Sequence, residues 1–224
     1  FSWWIGRMKQ NFALYDLVRI DHFRGMLAYW EVPAKEKNAV NGKWVNVPVK
    51  NLFNAFKSRF THLPVIAEDL GEITPDVREF IRKEQIPNMK VMQFGFMSGN
   101  PDDDFLPHNY PANCIAYTGT HDNNTVKGWY MHETNRKQRK FLNDYAGKNI
   151  HADNIHTEAT RLLIMSGANT VILPLQDILG LDAAARMNIP GTTKGNWEWR
   201  MKKQQITSAL KEQVGMINFV YGRR

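Results

Sequence analysis

Five short apolar runs recur along this chain, each parted from the next by stretches of helical periodicity, and that alternation constrains the fold more than any other feature. The runs lie at 15–21, 64–68, 89–94, 114–117 and 169–173. Between and around them come amphipathic stripes: Trp4, Ile5, Met8 and Phe12; Val49, Leu52, Phe53, Phe56 and Phe60; Ile155, Ala159, Leu162 and Leu163. Such spacing places apolar side chains on one helical face. Thr74-Pro75 opens a further helix with a capping residue and a proline in its first turn. Helices are also expected at 126–131 and 135–145, a short one at 174–181, and a terminal one carrying Ile206, Leu210 and Val214. The segment 28–48 reads as a loop, with Asn41-Gly42 as the turn of a small hairpin. Strand–helix alternation of this kind predicts an α/β fold with a parallel sheet and right-handed crossovers. No linker or internal repeat interrupts it, so residues 1–224 are read as one domain. Five strands are too few to close the usual eight-stranded barrel.

Three of the runs end in acidic clusters. The first passes through Arg19 to Asp21, the second leads into Glu68 and Asp69, and the fourth into Thr118-Gly119-Thr120-His121-Asp122-Asn123-Asn124-Thr125. Parallel α/β folds gather their chemistry at the C-terminal ends of the strands. Arg19 and Asp21 are two apart, so an extended strand presents both on one face. A guanidinium beside a carboxylate favours its ionised, oriented form, as a nucleophile or charge stabiliser needs. A structural ion pair has the same pattern, and this pair alone does not decide between them. Three strands delivering Asp21, Glu68 and Asp122 to one rim argue for a site. Glu68 and Asp69 are neighbours on a strand and point opposite ways, so only one of them can face it.

Composition narrows the function classes. Lysine and arginine number 29 against 22 acidic residues, a formal charge of +7. The basic residues are dispersed, however, and the densest group, Arg136-Lys137-Gln138-Arg139-Lys140, lies in a helical stretch that reads as a solvated face. No nucleic-acid partner is expected. No apolar run approaches the ~20 residues that span a bilayer, so no membrane partner is expected either. The single cysteine, Cys114, allows no internal disulfide and fits a reducing, cytoplasmic setting. It stands inside an apolar strand, where a thiol is inert. Asp102-Asp103-Asp104 lack the alternating spacing of a calcium loop, and the histidines, with His151 and His156 five apart, suggest no metal site. Neither cofactor nor metal is expected.

Arg19-Ile20-Asp21-His22-Phe23-Arg24-Gly25, Ala67-Glu68-Asp69-Leu70-Gly71 and Tyr117-Thr118-Gly119-Thr120-His121-Asp122-Asn123-Asn124-Thr125 together resemble the signatures of the 4-α-glucanotransferases (amylomaltases, glycoside hydrolase family 77). Val91-Met92-Gln93-Phe94-Gly95-Phe96, Leu106-Pro107-His108-Asn109-Tyr110-Pro111 and Gly195-Asn196-Trp197-Glu198-Trp199-Arg200 match as well, so the resemblance runs nearly end to end. It implies that the strands are about strands four to eight of a (β/α)8 TIM barrel, incomplete as given. The chain starts at Phe1, and we expect the N-terminal half of the same enzyme to precede it. Asn124 departs from the family, where many relatives carry an acid.

By the same resemblance, Asp21 is the nucleophile of a retaining mechanism, with Arg19 beside it, and Glu68 the general acid and then base. Asp122 stabilises the transition state through sugar hydroxyls, with His121 donating nearby. Asp69 and His22 are then structural. Asn196 is expected either to bind sugar or to fix its loop. Trp30 and Trp44 are either stacking platforms or loop anchors. The implied reaction is cleavage of an α-1,4-glucan and transfer to the 4-hydroxyl of another, with maltooligosaccharides or starch-like glucans as partners. A hydrolase using the same carboxylates, and a catalytically silent half-barrel, are the competing readings.

Overall fold

In the computed structural model, which describes residues 1–223, the alternation is realised element by element. The chain groups into two units, Phe1–Met89 and Lys90–Arg224. In the first, helix α1 (Ser2–Leu14) leads to strand β1 (Val18–Ile20), hairpin strands β2 (Ala28–Glu31) and β3 (Lys43–Asn46), helix α2 (Val49–Lys57), strand β4 (Val65–Ala67) and helix α3 (Pro75–Lys83). β1 pairs in parallel with β4, Val18 opposite Val65 and Ile20 opposite Ala67, and β4 pairs in parallel with the start of β5 (Asn88–Val91). The apolar stripes meet beneath these strands. Phe23, Leu52, Phe53, Phe56, Val65, Ala67, Val77, Phe80, Ile81 and Ile86 form one buried cluster. Fully burying one such side chain is worth about 1.5–3 kcal/mol, so this cluster supplies the main cohesion of the unit.

The hairpin is real, but its turn is not Asn41-Gly42. The connection runs over 32–42, and Gly42 serves a different end. A Cβ there would lie 2.5 Å from the Trp30 indole, so glycine admits the ring. Trp30 faces Trp44 across the pairing, ring centroids 5.4 Å apart, and donates its Nε1–H to the Ala39 carbonyl at 2.8 Å. The Arg24 guanidinium lies 4.1 Å from the Trp44 ring centre. Both indoles therefore hold the hairpin together. Thr74 precedes α3 as expected, with Pro75 in the first turn, yet its hydroxyl accepts from Arg24 Nη1 at 2.6 Å instead of capping the helix.

In the second unit, β5 ends at Val91 and helix α4 (Met92–Ser98) begins at once. The expected strand to residue 94 is thus corrected. Met92 and Phe96, four apart, are both fully buried, which is helical spacing. Gly95 lets the helix press on the Phe105 backbone, where a Cβ would meet atoms at 2.5 Å. Strand β6 (Cys114–Tyr117), helices α5 (Val126–His132), α6 (Arg136–Ala146) and α7 (Ile155–Ile164), strand β7 (Thr170–Ile172), helix α8 (Leu175–Ile178) and helix α9 (Ser208–Val220) follow. β6 and β7 pair in parallel, Ile115 opposite Thr170. α6 starts with a capping box between Asn135 and Gln138. Met92, Phe96, Leu106, Cys114, Ala116, Trp129, Leu142, Ile155 and Leu163 pack in the second buried cluster.

Candidate active site

β1 delivers Arg19 and Asp21 as the strand geometry requires. The guanidinium Nη2 donates to Asp21 Oδ1 in an ion pair. The arginine side chain is 27 % exposed and the carboxylate 75 %, so the pair anchors at the protein and presents Asp21 to solvent. With Trp4, Arg7 and Asn11 of α1, the two line a cavity of about 290 Å³.

Glu68 follows β4 directly and is held at the end of β1. Its Oε2 accepts the His22 N–H at 2.6 Å and its Oε1 accepts the Leu70 N–H at 2.9 Å. The backbone joins the same two strand ends: Glu68 N–H donates to Ile20 O and Phe23 N–H to Glu68 O. His22 reaches this geometry in the left-handed region, φ 47°, uncommon for a residue other than glycine. Its contribution is the backbone amide that orients Glu68. Asp69 turns the other way, as strand alternation demands. It accepts from Asn88 Nδ2 at 3.1 Å and from Met89 N at 2.9 Å. That leaves Glu68 as the carboxylate beside Asp21 and its strand, and Asp69 as a strand-end brace.

In the second unit the loop after β6 carries His121 and Asp122. Asp122 Oδ1 accepts from Asn188 Nδ2 at 2.6 Å, its carbonyl from Arg186 Nη2 at 2.7 Å, and its Oδ2 lies 3.4 Å from His121 Nε2. The loop is folded on itself. Asn123 Oδ1 accepts from Thr120 N at 2.8 Å and from Thr120 Oγ1 at 2.9 Å, and Asp122 N–H reaches Thr120 Oγ1 at 3.3 Å. Asn124, where the resemblance led us to expect an acid, is buried and donates to Glu133 Oε1 at 2.8 Å. Glu133 lies 3.7 Å from Arg186 Nη1, so Asn124 connects to the arginine that holds Asp122.

Asn196 is committed to its own loop. Its Oδ1 accepts from Ile189 N at 2.9 Å, and its Nδ2 donates to Thr192 O at 3.1 Å and Oγ1 at 2.9 Å. The next residue, Trp197, has φ 64° and stands against His121, ring centroids 5.1 Å apart. The sequence names Gln93 only within a matching motif and singles out neither Arg186 nor Asn188. All three act on the loop from 31 to 66 residues away, and no local pattern announces that. Asp177 is a fourth such residue. It is the one carboxylate in the apolar stretch Val171-Ile172-Leu173-Pro174-Leu175-Gln176-Asp177-Ile178-Leu179, and that is the signal that could have found it. Among the described residues no group of three or more His, Cys, Asp or Glu side chains could hold a metal ion, and no helix is long and apolar enough to cross a membrane.

The strand-end carboxylates and their partners can be set beside known proteins. The model of glycoside hydrolase family 77, described as 4-α-glucanotransferase, matches residues 1–207. The chain belongs to this family. A 4-α-glucanotransferase of Synechocystis sp. is 46 % identical over 228 residues, covering 100 % of the chain and 44 % of the relative. The Streptococcus pneumoniae 4-α-glucanotransferase is 43 % identical over the whole chain, and a chloroplastic/amyloplastic one of Arabidopsis thaliana 44 %. Among solved structures, amylomaltase from Streptococcus agalactiae in complex with acarbose superposes with a TM-score of 0.94 at 37 % identity, covering 100 % of the chain and 45 % of that structure. Amylomaltase from Corynebacterium glutamicum, at 17 % identity and a TM-score of 0.69, shares the fold. The chain therefore spans under half the length of the curated relatives it matches. Its class is α/β, as the alternation predicted, and it is consistent with the C-terminal part of a (β/α)8 barrel, as the resemblance implied.

Proposed function

We propose that the complete protein is a 4-α-glucanotransferase that cleaves an α-1,4-glucan with retention and passes the glycosyl unit to the 4-hydroxyl of a second glucan. The observation that carries this reading is the different way in which three carboxylates following parallel strands are held. Asp21 is exposed and oriented by Arg19, which suits attack on an anomeric carbon. Glu68 is pinned by two backbone N–H groups, yet each oxygen keeps a lone pair for substrate. It would protonate the leaving oxygen and then activate the acceptor hydroxyl. Asp122, braced by Asn188 and Arg186, would hold sugar hydroxyls as positive charge develops on the ring. Such fixed groups cost no reorganisation during reaction. His121 and Arg19 support those two carboxylates, and Asn196 would shape the sugar-facing loop. The 4-α-glucanotransferases of bacteria and plants that the chain resembles support the substrate class. A cytoplasmic setting is consistent with a single cysteine buried in a strand.

The test is incubation of the complete protein with maltotriose and separation of the products. Transfer yields glucose together with maltooligosaccharides longer than the substrate, and Asp21→Asn abolishes both. Glucose and maltose without longer chains would make the protein a hydrolase.

A further inference from the structure

The loop bearing His121 and Asp122 leaves the fold through a narrow neck, and one carboxylate closes it. Asp177, at the third position of α8, is 1 % exposed. Its Oδ2 accepts from the hydroxyl of Thr118, the residue after β6, and its Oδ1 accepts the N–H of Val126, the first residue of α5, at 2.7 Å. Those two residues are the two ends of the loop, and both are fully buried. Gln93 completes the neck by donating to the Asn124 carbonyl at 2.9 Å. Gly119 makes room for that amide, since a Cβ there would lie 2.7 Å from Gln93 Nε2.

Joining the ends of a loop does not by itself require a buried ion. Burial pushes the Asp177 carboxyl up to about 6, against the hydrogen bonds from Thr118 and Val126, which pull it down. Neither partner is a cation. A group retained at such a cost, with both oxygens spent on the two ends of one loop, belongs to that loop's geometry. We infer that Asp177 is a positioning residue for Asp122, a brace that fixes the spacing of the loop ends and thereby the reach of the Asp122 carboxylate. The link to Asp122 is short. Within the loop, Thr120, Asp122 and Asn123 are tied to one another, so a shift at the neck moves Asp122 against Asn188. The inference rests on the transferase reading for its catalytic consequence, and on the neck geometry alone for its structural one.

The experiment compares the complete wild-type protein with Asp177→Asn and Thr118→Val by hydrogen exchange over residues 118–126 and by maltotriose kinetics. A carboxamide keeps one acceptor oxygen for the Val126 N–H but meets Thr118 with an N–H, so in Asp177→Asn the Thr118 hydroxyl must turn from donor to acceptor and both charge-assisted bonds are lost. Exchange in the loop should rise about tenfold or more. The value of kcat should fall about 10- to 100-fold while KM changes less than about threefold, the signature of a misplaced group that acts in the transition state. Thr118→Val should shift both in the same direction, and the double variant should be no worse than Asp177→Asn. In an Asp122→Asn background, Asp177→Asn should have little further effect. Unchanged loop exchange in both Asp177→Asn and Thr118→Val, or an undiminished loss of kcat in that background, overturns the inference. Should Asp177→Asn not fold, Thr118→Val decides by the same readouts. If the wild-type protein transfers no glucan, the transferase reading fails, and the exchange measurement still decides whether Asp177 fixes the loop.

Discussion

The strand end at Asp21 and the loop at Asp122 hold the same functional group differently. Asp21 is 75 % exposed, against 47 % for Asp122, and among the described residues is paired with Arg19 alone. Asp122 is held at its carboxylate by Asn188 and at its backbone by Arg186, on a loop whose neck is closed by Asp177 and Gln93. A nucleophile needs an open approach and one charge partner to orient it. A group that only stabilises charge gains from having its position settled before substrate arrives. On the proposed roles, the investment in polar contacts follows what each carboxylate does, not the residue type.

That contrast can be broken by substitution. Under the proposed mechanism Asp21 attacks the anomeric carbon, so Asp21→Asn, which replaces the anionic carboxylate by a non-nucleophilic amide, should lower turnover of maltotriose by the complete protein on the order of 10⁴-fold or more, whatever the surrounding contacts. Asp122→Asn keeps the Asn188 contact partly satisfied and removes only charge, so the expected fall is smaller, about 10²- to 10³-fold. Equal losses would erase the distinction. Asn188→Ala leaves Asp122 in place but frees its carboxylate, and a loss of about tenfold in kcat with little change in KM is expected. If Asn188→Ala changes KM alone, Asn188 binds substrate and does not position Asp122.

The smallest effect is on stability. The folded-state value of Asp177 is about 6, above the ordinary 3.8. A raised carboxyl binds more protons folded than unfolded, so the contribution of Asp177 to wild-type stability falls as pH rises from about 4 to 6 and is level above that. Asp177→Asn has no such titration, so its thermal midpoint relative to wild type should improve between pH 4.5 and pH 7.5. Comparing the two proteins cancels every other titrating group. A difference that does not vary with pH would mean that the Asp177 carboxyl is not raised by burial.

Much of this was legible in the sequence, and the reasons are local. Strand ends at Ile20, Ala67 and Tyr117 fall within a residue of where short apolar runs meet a polar cluster. The opposite facing of Glu68 and Asp69 follows from strand alternation. The helix α4 was missed because Met92-Gln93-Phe94-Gly95-Phe96 satisfies both periods: Met92, Phe94 and Phe96 alternate, while Met92 and Phe96 are also one helical turn apart. The hairpin turn was misassigned because Asn41-Gly42 marks a turn in most contexts, whereas here glycine clears space for Trp30. Asp177, Arg186 and Asn188 lie 51 to 66 residues from the groups they hold. Contacts at that separation are made by topology.

The most direct test of the account is to trap the intermediate. The complete protein carrying Glu68→Gln, given an α-maltosyl fluoride whose leaving group needs no proton, should accumulate a glycosyl ester because the group that activates the acceptor is gone. Peptide mapping is predicted to find that added mass on Asp21. An adduct on another residue, or turnover to an inverted product with no adduct at all, would contradict the assignment of Asp21 as nucleophile and of Glu68 as its acid–base partner.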